Sequence, residues 1–135
     1  MVSIPVKIML FTADSSLAHA VIQCLKEAGY KVVSRSQGSG ALELIREERP
    51  GLVILDIDLP GFSSTAIIRR LRADSPTVGL PVILMGAAMH EEDCLMGLEV
   101  GADVCLMETF HPRVFVARVK SLLRRSEAVQ SHWSV

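Results

Sequence analysis

Five short apolar runs, separated by segments long enough for a helix, constrain the fold of this chain more than any other feature. They are rich in Val, Ile and Leu and comprise Lys7–Phe11, Lys31–Val33, Leu52–Leu55, Val82–Met85 and Val104–Met107. Near-continuous hydrophobicity in such short runs is typical of parallel strands buried on both faces. The segments between them place apolar residues three or four apart, as in Leu17, Val21 and Leu25 or Leu95 and Leu98. This spacing predicts a helix after each strand.

Regular alternation of strand and helix predicts an α/β fold of the doubly wound, flavodoxin-like kind. Right-handed crossovers favour a five-strand parallel sheet of order 2-1-3-4-5, with five helices on its two faces. A chain of 135 residues, half of them hydrophobic, can bury one core but is too short for two domains. We predict one domain over residues 1–126 and a polar tail or linker stub over 127–135.

Charge and hydropathy exclude several function classes for this segment. A net charge of −1 gives no basic footprint for binding nucleic acid, so contact with DNA would need a domain outside this chain. No apolar run reaches the roughly 18 residues of a membrane span, and the apolar start has no small-residue cleavage site. These features predict a cytoplasmic protein without a membrane partner.

The cysteines Cys24, Cys94 and Cys105 are odd in number and show no CxxC spacing. Neither a disulfide framework nor a zinc site is predicted from them, and this usage fits a reducing cytoplasm. Cys24 falls on the apolar face of the first helix and Cys105 in the last strand. We therefore expect these two thiols to serve ordinary packing.

In a sheet of this kind, ligand chemistry lies at the carboxyl ends of the strands. The polar or small residues at these ends are Thr12, Ala13 and Asp14 after the first strand, Asp56 and Asp58 at the third, Gly86 at the fourth and Glu108 at the fifth. No glycine-rich phosphate loop follows the first strand, which disfavours a nucleotide-binding or flavin-binding function. The residues at the strand ends therefore decide the function.

The run Leu52-Val-Ile-Leu-Asp56-Ile-Asp-Leu-Pro60-Gly61 resembles the third strand and following loop of CheY-like response-regulator receiver domains. Gly97–Asp103 and Phe110–Arg113 match further landmarks of that family, and the similarity extends over about Lys7 to Arg125. The last helix resembles receivers that precede a winged-helix DNA-binding domain of the OmpR/PhoB type. The resemblance implies that Asp56 is the phosphoacceptor position. A sensor histidine kinase would supply the phosphoryl group, with Mg²⁺ as cofactor.

The chain departs from the family's active-site pattern at every other position. Thr12 and Ala13 replace the acidic pair that holds Mg²⁺, and Gly86 replaces the hydroxyl residue. Because Mg²⁺ prefers hard oxygen ligands, we expect no bound metal. Asp14 and Asp58 form a candidate residual acidic cluster, and Asp56 with Asp58 is the weaker alternative as a metal site. The small residues Ala13 and Gly86 could leave space for another ligand.

Glu108 and Thr109 stand where the family has a Lys followed by a cis proline. Two like charges a few ångströms apart repel by roughly 1–4 kcal/mol, so Glu108 would disfavour a phosphoryl group on Asp56. A cis peptide costs about 3 kcal/mol for a residue other than proline. We predict a trans bond between Glu108 and Thr109.

Dimers of the winged-helix subfamily form through the fourth helix, fifth strand and fifth helix, where salt bridges cross a two-fold axis. The corresponding residues here are Cys94, Asp103, Val104, Val114 and Arg118. Arg118 and Asp103 match that network, whereas the other three replace charged residues by less polar ones. An apolar face of this kind predicts a homodimer that forms without phosphate.

These observations predict an atypical receiver that acts as a phosphorylation-independent regulatory or dimerisation module for a DNA-binding effector. It would be a binding module and not an enzyme. At most it would catalyse the transfer of a phosphoryl group to its own Asp56. The alternative is a working phosphoacceptor that takes phosphate on Asp56 from a histidine kinase with Mg²⁺.

Overall fold

The computed structural model describes residues 5–87, 89–106 and 111–129, with the side chains of 127–129 excepted. Strand and helix alternate along the described chain. The elements are β1 (Lys7–Phe11), α1 (Ser15–Glu27), β2 (Lys31–Arg35), α2 (Ala41–Glu48), β3 (Leu52–Asp56), α3 (Ser64–Ala73), a 3-10 turn (Ser75–Thr77), β4 (Val82–Met85), α4 (Glu91–Val100), β5 (Val104–Leu106) and α5 (Pro112–Val129). None of the described helices combines the length and hydrophobicity that a membrane span requires.

The five strands form one parallel sheet of order β2-β1-β3-β4-β5, which confirms the predicted topology. In the register of the sheet, Phe11 pairs with Leu55 and Asp56 pairs with Met85. The carboxyl ends of β1, β3 and β4 therefore meet at the same edge. This register brings Thr12 next to Asp56 although 44 residues separate them along the chain.

The core lies in two layers because successive side chains of a strand point to opposite faces of the sheet. Ile8 and Leu10 of β1 pack in one layer with residues of α1 and α5, whereas Met9 and Phe11 pack in the other with residues of α2 and α3. All four apolar residues of β3 are fully buried. A central strand covered on both faces explains why its sequence is continuously apolar.

Helix α4 departs from the pattern of the other helices. Leu95 and Leu98, whose spacing helped to predict it, are 59% and 44% exposed, and Met96 is 55% exposed. The residue of α4 that is buried is Gly97, where an added Cβ would collide with the side chain of Leu84. The helix thus approaches the sheet through a residue without a side chain, which leaves its larger apolar residues facing solvent.

Most predicted element bounds match the structure. β1 and β4 have the predicted bounds, β2 and β3 extend further, and α5 begins at Pro112, whose missing N–H is tolerated at a helix start. Met107, predicted to end the fifth strand, lies outside the described residues. α5 continues to Val129, and the division into a domain over 1–126 and a tail over 127–135 stays a prediction.

The expectation that the chain forms no disulfide was wrong. Cys94 in α4 and Cys105 in β5 are joined by a disulfide, with their Cα atoms 5.7 Å apart. Cys24 of α1 is a free, half-buried thiol that packs against the core, as predicted. The pairing is set by the packing of α4 on β5, which motif spacing along the chain does not report.

Candidate functional site

Asp56 occupies the carboxyl end of β3 at the centre of the sheet edge. The residue is 6% exposed, so its carboxylate lies largely out of contact with solvent. A buried carboxylate requires hydrogen-bond donors, because taking an ionised group out of water without them is costly. The contacts of its two oxygens therefore define the chemistry of this site.

Thr12 supplies the first of these donors. Its hydroxyl donates to Asp56 Oδ2 at 2.6 Å and accepts from the backbone N–H of Asp14 at 3.1 Å. Thr12 is 3% exposed, so this hydrogen bond is shielded from water. The position at which the resemblance implies a metal-binding carboxylate thus holds a side chain that binds Asp56 directly.

The second carboxylate oxygen is also occupied. The backbone N–H of Asp58 donates to Asp56 Oδ1 at 2.9 Å. Ser64, the first residue of α3, donates its hydroxyl to the backbone carbonyl of Asp56 and is itself buried. Sequence reasoning missed Ser64, although the pair Ser63-Ser64 before an apolar helical stripe is a recognisable helix-start signal. Each described oxygen of Asp56 therefore has a donor within the domain.

Asp14 serves the start of α1. Its carboxylate accepts from the backbone N–H of Leu17 at 3.0 Å, which makes it the N-cap of the helix. Such a cap satisfies one of the free N–H groups at a helix start. Ala13 beside it is exposed and contributes a methyl group to the site.

The space beside Gly86 is filled, contrary to the expectation of a vacated pocket there. A Cβ at this position would lie 2.6 Å from Ile57 Cγ2 and 3.4 Å from Asp56 Oδ1. Ile57 directly follows Asp56, so its branched side chain packs into the place that a hydroxyl residue would occupy. A side chain at position 86 would therefore require Ile57 to move.

The donor set around Asp56 does not fit Mg²⁺. Thr12 uses its hydroxyl hydrogen on Asp56, Ala13 has no oxygen in its side chain, and Asp14 caps α1. Among the described residues, no group of three or more His, Cys, Asp or Glu is placed to hold a metal. Mg²⁺ is usually held by one or two carboxylates whose oxygens are free to coordinate it, whereas both carboxylate oxygens of Asp56 and one of Asp14 already accept hydrogen bonds. Glu108 and Thr109 lie outside the described residues, and the roles predicted for them stay predictions.

Asp103, one of the five residues of the predicted dimer face, accepts hydrogen bonds from two donors of its own domain. Its Oδ2 accepts from Arg72 Nη2 at 3.0 Å and from the backbone N–H of Val82 at 2.8 Å. Asp103 thus forms an ion pair with Arg72 of its own chain, and its part in a salt-bridge network across a dimer stays a prediction. Arg72 was missed because a single arginine on a helix carries no signal of the buried partners it finds.

Three other residues of the predicted dimer face share one groove between β5 and α5. Val104, Val114 and Arg118 line it together with Arg113, Ala117, Ser121, Leu122 and Arg125, around a volume of about 450 Å³. Cys94, the fifth residue, is half-buried and reaches β5 through its disulfide with Cys105, the neighbour of Val104. The structure thus gathers these four residues around β5.

Comparison with known proteins agrees with the fold. Residues 8–120 match the family model described as the response regulator receiver domain. The DNA-binding response regulator MtrA of Mycolicibacterium smegmatis is 40% identical over 121 residues, which cover 90% of this chain and 52% of that protein. The phosphate regulon transcriptional regulatory protein PhoB of Pseudomonas aeruginosa is 35% identical over 119 residues, 88% of this chain and 52% of PhoB.

A solved structure gives the same result. The BeF3-activated N-terminal receiver domain of Klebsiella pneumoniae RstA superposes with a TM-score of 0.78 at 30% identity, covering 87% of this chain and 98% of that one. The chain spans about half the length of the curated relatives it matches. The fold, the extent of the family match and the shared sequence together show that this chain belongs to the response-regulator receiver domain family.

Proposed function

We propose that this receiver domain regulates a DNA-binding effector without phosphorylation, through self-association. The observation that carries the proposal is the hydrogen bond from Thr12 to Asp56, which occupies the carboxylate where a phosphoryl group would attach. Its relative MtrA is a DNA-binding response regulator, and this chain spans about half of the length of MtrA. Contact with DNA would therefore be made by a domain outside this chain.

Phosphoryl transfer to Asp56 is disfavoured by three neighbours of the carboxylate. Catalysis of this transfer depends on positioning and on neutralising charge, for which metal ions are the usual means. Here Thr12 and the N–H of Asp58 occupy the two oxygens, and Ile57 fills the space beside Gly86. A phosphoryl group on Oδ2 would have to displace the Thr12 hydroxyl without a bound cation to compensate its charge.

We expect no phosphoryl group to be gained when the purified chain is incubated with acetyl phosphate and Mg²⁺ and then weighed by intact-mass spectrometry. An Asp56→Asn variant is the control for modification elsewhere. The double variant Thr12→Asp/Ala13→Asp restores an acidic pair and serves as the positive control for metal binding. Two added charges within a few ångströms of the ion should tighten Mg²⁺ binding by at least about tenfold.

The readout for that control is thermal stability. Mg²⁺ should raise the melting temperature of the double variant, because a ligand that binds the folded state stabilises it, and should leave the wild type unchanged. A Mg²⁺-dependent gain of one phosphoryl group in the wild type, absent in Asp56→Asn, would overturn the proposal. It would instead support the alternative function, a phosphoacceptor supplied by a sensor histidine kinase.

Self-association is supported by the surface of α4, β5 and α5. Leu95 and Leu98 lie one turn apart on α4, and both are exposed together with Val114 of α5. Larger groups of exposed apolar side chains mark interaction surfaces, and these three lie on the two helices that flank the edge strand β5. We propose that these residues form the centre of a homodimer interface.

Charge complementarity favours a second copy of this chain as the partner. The groove beside α5 carries Arg113, Arg118 and Arg125, none of which forms an ion pair with a described residue. Helix α4 presents three exposed acidic residues, Glu91, Glu92 and Glu99. An isologous interface would set the basic groove of one copy against the acidic helix of the other, which steers and orients association.

We expect the untreated chain to sediment as a dimer at micromolar concentration and the variant Val114→Asp to sediment as a monomer. A charge placed at the centre of an apolar interface has to be desolvated without a partner, which costs several kcal/mol of association energy. Val78→Asp is the matched control, because Val78 is 54% exposed and Val114 is 55% exposed. A monomeric wild type, or equal dissociation by both variants, would contradict the interface.

A further inference from the structure

The disulfide between Cys94 and Cys105 joins the face on which the proposed interface is built. Cys94 lies in the first half of α4 and Cys105 in the middle of β5, and both residues are half-buried. Cys105 Sγ also lies 3.7 Å from the sulfur of the buried Met89, in the segment that leads into α4. The bond therefore links the start of α4 to the edge strand of the sheet.

Helix α4 depends on this link more than the other helices would. Most helical stability in a protein comes from packing an apolar face, and in α4 Gly97 is buried while Cys94 and Val100 are half-buried. Leu95, Met96 and Leu98 face solvent, and Val100 packs against the core near the end of the helix. At its other end, the carbonyl of Gly101 accepts from Arg72 Nε at 2.9 Å. The disulfide is thus the principal side-chain anchor in the first half of the helix.

The third cysteine is separate from this pair and different in character. Cys24 lies in α1, where burial raises the pKa of its thiol and its Sγ contacts the carbonyl of Val21. A raised pKa lowers the fraction of nucleophilic thiolate at neutral pH. Thiol exchange in this chain is therefore assigned to Cys94 and Cys105, two partly exposed residues that an external thiol can approach.

We propose that Cys94 and Cys105 form a reversible dithiol–disulfide site that sets how firmly α4 is held on β5. In oxidation, the two thiols transfer two electrons and two protons to a disulfide such as oxidised glutathione, which leaves as two thiols. In reduction, two thiols of the reductant return the electrons and protons through a mixed disulfide. On the basis of the proposed self-association, the oxidised form dimerises more tightly than the reduced form. A fixed α4 loses less conformational entropy on binding.

The exchange itself is tested by equilibrating the full chain with graded ratios of reduced to oxidised glutathione. Free thiols are then blocked with N-ethylmaleimide and counted by intact mass. We expect one blocked thiol at the oxidising end and three at the reducing end, returning on reversal. Cys24→Ser should shift both counts down by one and keep the transition, whereas Cys94→Ser and Cys105→Ser should each abolish it. Three thiols at every ratio, or one at every ratio, would overturn the proposal.

The effect on α4 is tested by hydrogen exchange, which does not depend on self-association. Reduction should speed amide exchange in residues 91–100 by about tenfold or more while leaving α1 unchanged, because opening of α4 loses its covalent restraint. Equal exchange in both redox states would overturn the proposed control of α4. Sedimentation of the two redox forms completes the test, with weaker dimerisation expected on reduction.

The outcomes separate this site from the proposed function. A monomer in both redox states, with reversible exchange and a redox-dependent α4, would refute the dimer and leave the redox site established. A dimer of equal strength in both states would refute the redox control of self-association and leave the dimer established. The variants Cys94→Ser and Cys105→Ser should match the reduced wild type in amide exchange of α4 and in sedimentation.

Discussion

Replacing Arg72 by alanine is expected to lower the free energy of unfolding by about 3 kcal/mol, because its half-buried guanidinium donates to a carboxylate and to several backbone carbonyls, and one hydrogen bond that involves a charged group contributes about 1.5–3 kcal/mol. The guanidinium donates to Asp103 Oδ2 at 3.0 Å and to the carbonyls of Leu80 and Gly101 at 2.7 and 2.9 Å. Longer hydrogen bonds reach the carbonyls of Thr77 and Val78. Alanine would remove all of these donors at once.

The consequence extends over three connections of the fold. Arg72 lies on α3, Leu80 precedes β4, and Gly101 ends α4 immediately before β5. Burial lowers the pKa of the Arg72 guanidinium, an effect that Asp103 opposes, and the group stays charged at neutral pH. Its loss would leave the Asp103 carboxylate without its cation and backbone carbonyls without their donor. We therefore expect a global loss of stability and not a local one.

The measurement is urea denaturation of each variant at pH 7, followed by circular dichroism. Arg70→Ala is the matched control, because Arg70 lies on the same helix, is exposed and should cost less than about 0.5 kcal/mol. Arg72→Lys keeps the charge but lacks the planar guanidinium. Its loss of stability should therefore be more than half of the loss caused by alanine. Equal stability of the variants Arg72→Ala and Arg70→Ala would show that the network is dispensable.

Replacing Thr12 by valine is expected to cost about 2–3 kcal/mol, because hydrogen bonds to charged groups contribute about 1.5–3 kcal/mol. Valine has nearly the shape of threonine, so the change removes the donor and leaves the packing. Asp56 Oδ2 would then be buried without the hydroxyl that lies 2.6 Å away. Thr12→Ser keeps the hydroxyl and should cost less than about 1 kcal/mol through its lost methyl group.

A double-mutant cycle with Asp56→Ala isolates the pair. In that background no carboxylate needs a hydrogen bond. Adding Thr12→Val should therefore lower the free energy of unfolding by less than about 0.5 kcal/mol. The difference between the two backgrounds is the coupling energy, measured by urea denaturation of the four proteins. Equal costs of Thr12→Val in both backgrounds would show that the Thr12 hydroxyl does not stabilise Asp56, and would remove the main support for a blocked phosphoacceptor.

Local periodicity was sufficient to predict the elements and the position of Asp56 at the end of β3, and the rule that crossovers are right-handed added the order of the strands. A strand covered on both faces must be continuously apolar, and a helix packed on one face places apolar residues every three to four positions. Both patterns can therefore be recognised in the sequence. Residues at the carboxyl ends of adjacent parallel strands meet at one edge whatever their identity. The departures at Thr12, Ala13 and Gly86 were visible only through the resemblance to receiver domains, whose residues at these positions differ.

Helix α4 marks the limit of that reasoning. The spacing of Leu95 and Leu98 predicted a helix, which the structure confirms, but not the face that it turns to the sheet. Spacing fixes which residues share a face, whereas the depth at which a helix packs depends on its smallest residue. Gly97 sets that depth against Leu84, and no local pattern reveals it.

The roles of the unusual residues depend on tertiary packing and could not be read from the chain. The bond from Thr12 to Asp56 spans 44 residues, and the pair of Arg72 and Asp103 spans 31. The disulfide joins two cysteines only 11 residues apart, yet it too depends on how α4 lies against β5. Periodicity reports the burial of each element separately, whereas hydrogen bonds and covalent links need ångström-level placement of one element on another, and packing alone sets that placement.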